Sequence, residues 1–248
     1  MRVVMLAGPK PSTWMVANAL KREFSLSAII VENLPGRWEL ARKRARRMGW
    51  PSVIGQSLFV LYAGKLQRDS RKRAAQILSD NGLETNLPDE VEIIPVPSAN
   101  DDGTIALLQR LSPAAVVVCG TRILSPRVLE SVRAPFINMH SGITPKYRGA
   151  HGAYWALANA DPENAGVTVH LVDRGIDTGS ILYQARISPC ACDNFATYPL
   201  LQLSAGMPLL KQAVKDALGG RLRPVASALP SKLYHHPTLW QYLRSGVK

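Results

Sequence analysis

The chain has 248 residues and a mass of 27.1 kDa, and 46% of the residues are hydrophobic, which is enough to bury a sizeable core. Its 30 Lys and Arg residues against 18 Asp and Glu give a formal net charge of +12. Such a charge indicates anionic partners such as phosphates, nucleic acid or acidic lipid, and does not choose among them. Composition therefore excludes a disordered tail and predicts a globular protein.

Cysteine usage and the N-terminal pattern bear on the compartment. The three Cys residues form an odd, sparse set, which argues against a disulfide framework and predicts a cytoplasmic protein. Cys190 and Cys192 lie near an Asp, but no second pair completes a four-ligand site, so we expect outward-facing or edge-strand cysteines and no metal. The first residues show no secretion signal, and the apolar stretch 53–64 is too short for a membrane span of about 20 residues.

Apolar runs alternate with helical stretches along the first part of the chain. Strands are predicted at 3–7, 27–32, 91–97, 114–120 and 136–140, with helices between them at 11–24, 37–49, 103–111 and 125–132. Pro11 suits the first position of its helix, and Ser12 or Thr13 suits a place near the cap. This alternation is typical of a mostly parallel sheet that is covered on both faces.

The alternation changes after residue 160. Segments 166–173 and 180–187 are strand-like and are joined by RGIDTG, which predicts an antiparallel pair. A long helix follows at 198–218, and Gly219 with Gly220 ends it. We therefore predict an α/β fold, with a Rossmann-like, mostly parallel sheet, helices on both faces and an added antiparallel strand pair. It forms one domain over 1–220, followed by a C-terminal tail, 221–248, that has no strong period.

A basic region lies between the second and third predicted strands. The apolar stretch 53–64 is followed by KLQRDSRKRAAQ, which predicts a core helix and then a solvated one. An alternative is a helix that lies on a membrane surface or against a partner. The basic runs RKRARR and RDSRKR also keep nucleic acid open as a partner.

Polar loops follow four of the predicted strands. Ligands of open α/β sheets bind beyond the carboxyl ends of the strands, so we expect these loops to converge. Asn138 and His140 are two residues apart in a strand and therefore point to the same side. An amide and an imidazole aimed together can stabilise the oxyanion of an acyl transfer, and Asp177 is the candidate carboxylate that raises the pKa of the imidazole. The alternative is that Asn138 and His140 only tie down a loop.

The stretches FINMHSGITPKYRGAHGAYWAL and GVTVHLVDRGIDTGSIL resemble the signature of the formyltransferase family that uses 10-formyltetrahydrofolate. The N-x-H motif of that family falls on Asn138 and His140, and its Asp falls on Asp177. The resemblance implies that Asn138 and protonated His140 stabilise an oxyanion while Asp177 orients His140 and helps to relay a proton. It also implies a catalytic domain over 1–220, with a helical insertion at 57–90 relative to the smallest members.

A second likeness concerns the cofactor. The stretch VVVCGTRILSPRVL resembles the folate-binding strand and loop of the family, which implies that 10-formyltetrahydrofolate is the co-substrate. No metal is needed for this chemistry. The cofactor-binding residues implied by the two motifs are Arg122, Ile123, Leu124, Val172, Asp173, Gly175 and Ile176.

The acceptor amine is less closely specified. Ribonucleotide formyltransferases of the family cradle a phosphate after the first strand, but here that loop reads GPKPST, and proline has no N–H to donate. Sugar formyltransferases of the family show YRG followed by Trp, as this chain does. We therefore expect a small anionic acceptor, an amino sugar or nucleotide-linked amine ahead of glycinamide ribonucleotide. The expected acceptor-binding residues are Lys10, Ser12, Thr13, Ser141, Tyr147, Arg148 and Gly149.

Other functions have weaker support. His140, His151 and His170 lack the i, i+4 pairing of a helical zinc motif. Ser141 is not in a G-x-S-x-G elbow, and Gly8 lacks the further glycines of a dinucleotide fingerprint. The alternative of another class is a noncatalytic folate-, nucleotide- or RNA-binding protein on the same fold.

Overall fold

The computed structural model describes residues 1–34 and 36–247, except for the side chains of Arg37, Leu40 and Lys43. Its strands are β1 (Arg2–Ala7), β2 (Ser25–Glu32), β3 (Glu92–Val96), β4 (Ala115–Cys119), β5 (Phe136–His140), β6 (Arg148–Gly149), β7 (Gly166–Leu171), β8 (Ile181–Arg186) and β9 (Leu233–Tyr234). Within this part of the chain a seven-stranded sheet has the order β3-β2-β1-β4-β5-β7-β8. The first five strands of the chain run parallel, and β7 and β8 are antiparallel additions, so the predicted fold is confirmed.

Helices cover both faces of the sheet. They are α1 (Pro11–Lys21), α2 (Arg37–Met48), α3 (Trp50–Asp69), α4 (Arg71–Asp80), α5 (Asp102–Leu111), α6 (Pro126–Leu129), α7 (Gly152–Ala158), α8 (Tyr198–Leu218) and α9 (Leu239–Ser245). Pro11 begins α1 as expected, whereas the cap position is Lys10, and Ser12 and Thr13 lie in the first turn. A short 3₁₀ turn at Pro162–Asn164 precedes β7.

Strand alternation builds the two cores that flank the sheet. Val3 and Met5 of β1 contribute to the core under α1 and α8, and Val4 and Leu6 contribute to the core under α5 and α6. All four side chains are 0% exposed, because a central parallel strand is covered on both faces. The sheet is therefore a rigid platform, and its carboxyl edge is left free for loops.

A third core lies beyond this edge and is mainly aromatic. Phe59 of α3 packs against Phe195 and Tyr242, with ring centroids 4.7 and 4.8 Å apart, and Tyr154 of α7 closes the cluster. The two helices expected from the apolar stretch 53–64 and the basic segment after it are present as α3 and α4. Helix α4 is held by an ion pair of Arg73 with the buried Asp193, so its face is not wholly solvated.

The C-terminal segment 221–247 is docked on this third core. β9 pairs in parallel with β6, and Trp155 Nε1 donates to the His235 carbonyl at 2.9 Å. Helix α9 begins with a capping box in which Thr238 and Gln241 exchange side-chain and backbone hydrogen bonds. The sequence reasoning found no periodicity here because α9 is short and the pairing of β9 is long-range.

Cys190 and Cys192 face outward as expected, but the expectation that no disulfide forms was wrong. Cys190 and Cys192 are joined by a disulfide, and Cys119 is free. A tight turn brings the sulfurs together: Asp193 N donates to the Cys190 carbonyl, and Cys190 N donates to Asp193 Oδ2, both at 2.9 Å. Counting cysteines missed this pairing because it closes over a single intervening residue.

Within residues 1–34 and 36–247, no helix combines the length and the apolar character that are needed to cross a bilayer.

Candidate active site

Strand pairing places an amide beside an imidazole. β5 and β7 are antiparallel, with Asn138 opposite His170. Since opposite residues project to the same face, the two side chains meet, and Asn138 Nδ2 lies 3.1 Å from His170 Nε2. His170 Nδ1 is 2.7 Å from the Leu171 carbonyl, which places the ring hydrogen on Nδ1 and leaves Nε2 to accept from the amide. His170 therefore fixes the orientation of Asn138.

Asp177 reaches the same place from the loop between β7 and β8. Its backbone has a φ of +51°, in the left-handed region that residues other than glycine rarely adopt. Neighbouring contacts hold the loop: Asp173 Oδ1 accepts from the Gly175 N–H at 3.0 Å, and Arg148 Nη1 donates to the Ile176 carbonyl at 2.9 Å. The strained residue is kept in place by these bonds, and its carboxylate is aimed at β5.

The Asp177 carboxylate contacts the ring of His140. Asp177 Oδ2 lies 3.2 Å from His140 Nδ1 and accepts the Gly149 N–H at 2.9 Å. His140 Nε2 lies 2.8 Å from the Tyr147 carbonyl. Nε2 donates its hydrogen to the Tyr147 carbonyl. The contact of Nδ1 with the Asp177 carboxylate is therefore a hydrogen bond only when a second proton lies between these two groups. His140 and Asp177 are therefore arranged to hold one shared proton.

Burial makes that proton mobile. His140 is 6% exposed, and burial lowers the pKa of its ring although the Asp177 carboxylate and the Tyr147 carbonyl oppose this. Burial by itself raises the pKa of Asp177, but the adjacent His140 ring and the Gly149 N–H outweigh it and lower that pKa. The carboxylate is therefore ionised at neutral pH, while the ring gives up its proton readily.

These groups line a cavity of about 520 Å³ at the carboxyl ends of β1, β4 and β5. Small-molecule sites commonly have about 300–1,000 Å³. The cavity brings together most of the binding and catalytic residues expected from the sequence: Lys10, Ser12, Arg122, Ile123, Leu124, Asn138, His140, Ser141, Gly149, Val172, Asp173, Gly175, Ile176 and Asp177.

One wall of the cavity is the loop that follows β4. The buried Glu32 binds Arg122 through both the backbone N–H and Nε, and it also accepts the Ala99 N–H at 2.9 Å. Asn100 Nδ2 donates to the Ile123 carbonyl at 2.9 Å. Because the Arg122 guanidinium is held against Glu32, this wall is rigid before any ligand binds.

Three expected binding residues do not line this cavity. Thr13 is 0% exposed, and its hydroxyl donates to the Gly8 carbonyl at 2.5 Å, so it faces the loop interior. Tyr147 points its ring into the third core, where the hydroxyl donates to Asp161 at 2.7 Å. Arg148 is directed at the loop of Asp177. These side chains form hydrogen bonds within the protein itself. The expectation that they bind the acceptor is therefore corrected: they support the loops of the site.

Two residues of the site were missed by the sequence reasoning. His170 was weighed only as a zinc ligand, although its position opposite Asn138 in the antiparallel pair could have been inferred from the strand register. Glu32 is the last residue of β2 and is 2% exposed. A carboxylate at the carboxyl end of a buried strand is a sequence signal that could have identified it. Both residues orient other side chains of the cavity.

The zinc alternative does not agree with the geometry. The ring centroids of His140 and His170 are 6.4 Å apart, and the His151 ring packs at a tilt against Phe195 of the third core, with centroids 4.6 Å apart. Among the residues that the structure describes, the gathered ligand-type side chains are Cys190, Cys192 and Asp193. Two of these form the disulfide, and a disulfide sulfur is not a thiolate ligand.

Comparison with known proteins adds independent information. A methionyl-tRNA formyltransferase from Synechocystis sp. is 38% identical over 110 residues, which are 44% of this chain and 33% of that protein. Glycinamide ribonucleotide transformylase 1 from Symbiobacterium toebii has a similar structure, with a TM-score of 0.60 and 19% identity over 92% of this chain and 91% of that one. A sugar 3N-formyltransferase solved in the presence of dTDP and 5-N-formyl-THF has a TM-score of 0.56 and 13% identity, over 94% and 69%.

The chain matches only about a third of the length of that curated relative, and the two structural likenesses lie below 25% identity, so they show the fold alone. The family model described as formyl transferase matches residues 64–198, which is more than half of the chain. That segment contains β5, β7 and the loop of Asp177. The chain therefore belongs to the formyl transferase family.

Proposed function

We propose that this chain transfers the formyl group of 10-formyltetrahydrofolate to a primary amine of a small-molecule acceptor, with an amino sugar or nucleotide-linked amine as the leading class. The observation that carries the proposal is the contact of His140 Nδ1 with Asp177 Oδ2 at 3.2 Å inside a cavity that Asn138 also lines. Family membership supports the reaction type. The acceptor class rests on the YRG segment before Trp155 and on the net charge of +12.

The walls of the cavity suit a reduced pterin. The Arg122 guanidinium binds Glu32, and the Asp173 carboxylate accepts a hydrogen bond from within its own loop. The backbone of these loops and the apolar side chains of Leu124 and Val172 are then left to face the cavity. A flat heterocycle with an amide edge needs apolar contact on its faces and a few fixed backbone groups at its rim.

The proposed reaction is an acyl transfer between two amines. The neutral amine nitrogen of the acceptor attacks the formyl carbon, a C–N bond forms, and the carbonyl oxygen becomes an oxyanion. The bond from that carbon to the folate nitrogen then breaks. The acceptor nitrogen loses one proton and the folate nitrogen gains one, so a group that can give and take a proton beside both is required.

The side chains divide these tasks. Asn138 lines the cavity and carries a second amide N–H besides the one that His170 accepts, so it is the direct hydrogen-bond donor for the oxyanion. Both nitrogens of His140 already face protein acceptors, so the ring contributes the proton that it shares with Asp177 rather than a direct bond to the oxyanion. Asp177 holds that proton on the pair and relays it toward the folate nitrogen.

Glycinamide ribonucleotide is the second candidate acceptor. Lys10 and Ser12 line the same cavity and supply a cation and a hydroxyl for a phosphate. The backbone donors of this loop are, however, largely used: the Lys10 N–H binds the Gly8 carbonyl, and the Thr13 N–H binds the Lys10 carbonyl, both at 2.9 Å. Pro11 has no N–H at all. Few backbone donors of this loop are therefore left for a phosphate, which favours the amino sugar class.

The test is amine-dependent release of tetrahydrofolate, followed by absorbance after mixing the protein with 10-formyltetrahydrofolate and a panel of amines. The panel contains amino sugars, nucleotide-linked amino sugars and glycinamide ribonucleotide. We expect release with a member of the sugar classes, and a loss of about a hundredfold or more in the His140→Ala protein. Tight binding of folate without release by any amine would favour the noncatalytic binding protein, and full activity of His140→Ala would contradict the mechanism.

A further inference from the structure

A second cavity of about 440 Å³ lies next to the catalytic one. It is enclosed by α2, by α3 of the insertion and by the C-terminal segment around β9. Gly149 and Ile176 line both cavities, so the two share a border. This border is adjacent to the proton-holding pair, because the Gly149 N–H donates to Asp177 Oδ2 at 2.9 Å.

Two arginines give this cavity a positive rim. Arg44 and Arg47 are three residues apart on α2 and therefore share a face of the helix, and both line the cavity. Both are exposed, and neither forms an ion pair with a carboxylate among the side chains that the structure describes. Two unneutralised guanidinium groups on one rim favour a ligand with two or more negative oxygens, and a diphosphate has this chemistry.

A buried amide in the same cavity has an unused acceptor. Gln56 is 5% exposed, and its Nε2 donates to the His236 carbonyl at 2.8 Å, which fixes the orientation of the amide. Its Oε1 is buried and has no hydrogen-bond partner among the described residues. Buried polar atoms are rarely left unpaired, so this oxygen marks a place for a ligand donor such as a hydroxyl.

We propose that the second cavity binds the phosphorylated part of the acceptor. This inference rests on the proposed function and deepens it, since it names a sugar that carries a diphosphate as the substrate class. Arg44 and Arg47 bind the phosphate oxygens, and Gln56 Oε1 accepts from a hydroxyl of the ligand. The amine then crosses the border at Gly149 and Ile176 to reach the catalytic cavity.

A small ligand fits these observations better than a polynucleotide does. The cavity is of small-molecule size, and the unpaired atom of Gln56 is buried, where an exposed phosphate backbone does not reach. A nucleic acid bound through charge alone contacts all the exposed arginines of α2 without preference for the two that line the cavity. This difference allows a matched comparison of variants.

The experiment is calorimetric titration of the full chain with inorganic pyrophosphate and with UDP-N-acetylglucosamine, which has no free amine and so does not react. The test variant is Arg44→Ala/Arg47→Ala. Its control is Arg42→Ala/Arg46→Ala, which removes the same charge from exposed positions of the same helix that do not line the cavity. We expect affinity for both probes to fall tenfold or more in the test variant, and less than threefold in the control.

The amide is tested separately with Gln56→Met. This change should weaken UDP-N-acetylglucosamine several-fold and leave pyrophosphate unchanged, because pyrophosphate has no hydroxyl. The proposal is overturned if the wild-type chain binds neither probe, or if the two double variants lose affinity equally. Tighter binding of a tRNA that falls equally in both double variants would also overturn it and would identify α2 as a nucleic-acid surface.

A parallel titration with 5-formyltetrahydrofolate separates this inference from the proposed function. If Arg44→Ala/Arg47→Ala binds the folate and both probes as the wild type does, the inference fails and the proposed function stands. If the wild-type chain binds the two probes as expected but neither binds folate nor releases tetrahydrofolate with any amine, the proposed function fails while the phosphate-binding role of the cavity remains.

Discussion

The two cavities of this protein are built in different ways. The catalytic cavity is made of loops that follow strands of one sheet. Asn138 and His140 enter it from β5, and Asp177 enters it from the loop between β7 and β8. The second cavity is made of α2, α3 and the segment around β9. Helix α2 packs against α3, and α3 is joined to the C-terminal segment through the aromatic third core. The catalytic residues are thus positioned by the rigid sheet, whereas the second cavity is assembled from segments that are distant in sequence.

The largest expected effect on the second cavity comes from a deletion at the centre of the third core, which leaves the catalytic cavity untouched. Phe59→Ala deletes a ring that is 0% exposed and contacts both Phe195 and Tyr242. We expect a loss of about 3–5 kcal/mol in the free energy of unfolding, measured by urea denaturation. Leu61→Ala on the same helix is the control, because Leu61 is 74% exposed and its loss should change stability by less than about 0.5 kcal/mol.

Equal effects of Phe59→Ala and Leu61→Ala would contradict the packing of α3 against α9. The two variants also separate the cavities, since Phe59 lies outside the catalytic one. We expect affinity for 5-formyltetrahydrofolate to be unchanged in any fraction of Phe59→Ala that remains folded.

The catalytic cavity is tested by Asp177→Asn. This change keeps the side-chain volume but removes the charge that holds the proton on His140, at a contact of 3.2 Å. We expect turnover of the formyl transfer to fall about a hundredfold or more, with the melting temperature nearly unchanged. Asp101→Asn, at the N-cap of α5, is the matched control and should retain turnover, because Asn also serves as a cap. Retention of turnover by Asp177→Asn would contradict a proton-relay role.

The stability of the protein at acid pH tests the packing of His151 against the third core. Burial lowers the pKa of His151 to about 3, so the ring is neutral in the folded chain. In the unfolded chain this ring binds a proton below about pH 6.5. The contribution of His151 to the free energy of unfolding is therefore fully present above that pH and is lost as the pH falls toward 3. We expect the wild type to lose about 1–2 kcal/mol of stability through this residue between pH 7 and pH 5.

The measurement is urea unfolding of wild type and His151→Asn at pH 7 and pH 5. Asn suits the left-handed backbone of residue 151, which has a φ of +59°. The pH dependence should be shallower in His151→Asn, with a remainder from His236 and His140, because burial also lowers the pKa of each of these rings. An unchanged dependence in His151→Asn would refute the assignment.

The smallest expected effect concerns two glycines of α3. A Cβ at Gly55 would lie 2.1 Å from the ring of Trp240, whereas a Cβ at Gly64 would meet nothing within 4 Å. Gly55→Ala should therefore destabilise the docked α9 by about 1 kcal/mol. Gly64→Ala should stabilise the helix by about 0.5–1 kcal/mol. Thermal unfolding of both variants checks the opposite signs, and the same sign for both would argue against the placement of Trp240.

The elements that were predicted well share a local cause. In β1 and β4 the apolar run is itself the strand, and the stripe of Leu203, Met207 and Leu210 on α8 packs on the sheet as helical spacing requires. The antiparallel pair of β7 and β8 followed from the turn residues between them. Each of these signals is contained in fewer than about two dozen consecutive residues, the reach of a local pattern.

The missed features depend on partners that are far away in the chain. The pairing of β6 with β9 joins residues 148–149 to 233–234, and α7 packs under that pair. Helix α9 did carry a local signal, the capping box of Thr238 and Gln241. That signal marks where a helix begins and says nothing about the surface on which it docks.

The sequence by itself determined the sheet, the strand ends and the motif that sets Asn138 and His140 on one side of β5, because each follows from spacing along a short stretch. Only the tertiary structure decided that Tyr147 and Thr13 support the site from within, that His170 orients the amide, and that Gln56 lines a second cavity. These assignments require the direction of a side chain toward residues from a distant part of the chain. Residue spacing does not contain that direction, and the packing of the whole fold does.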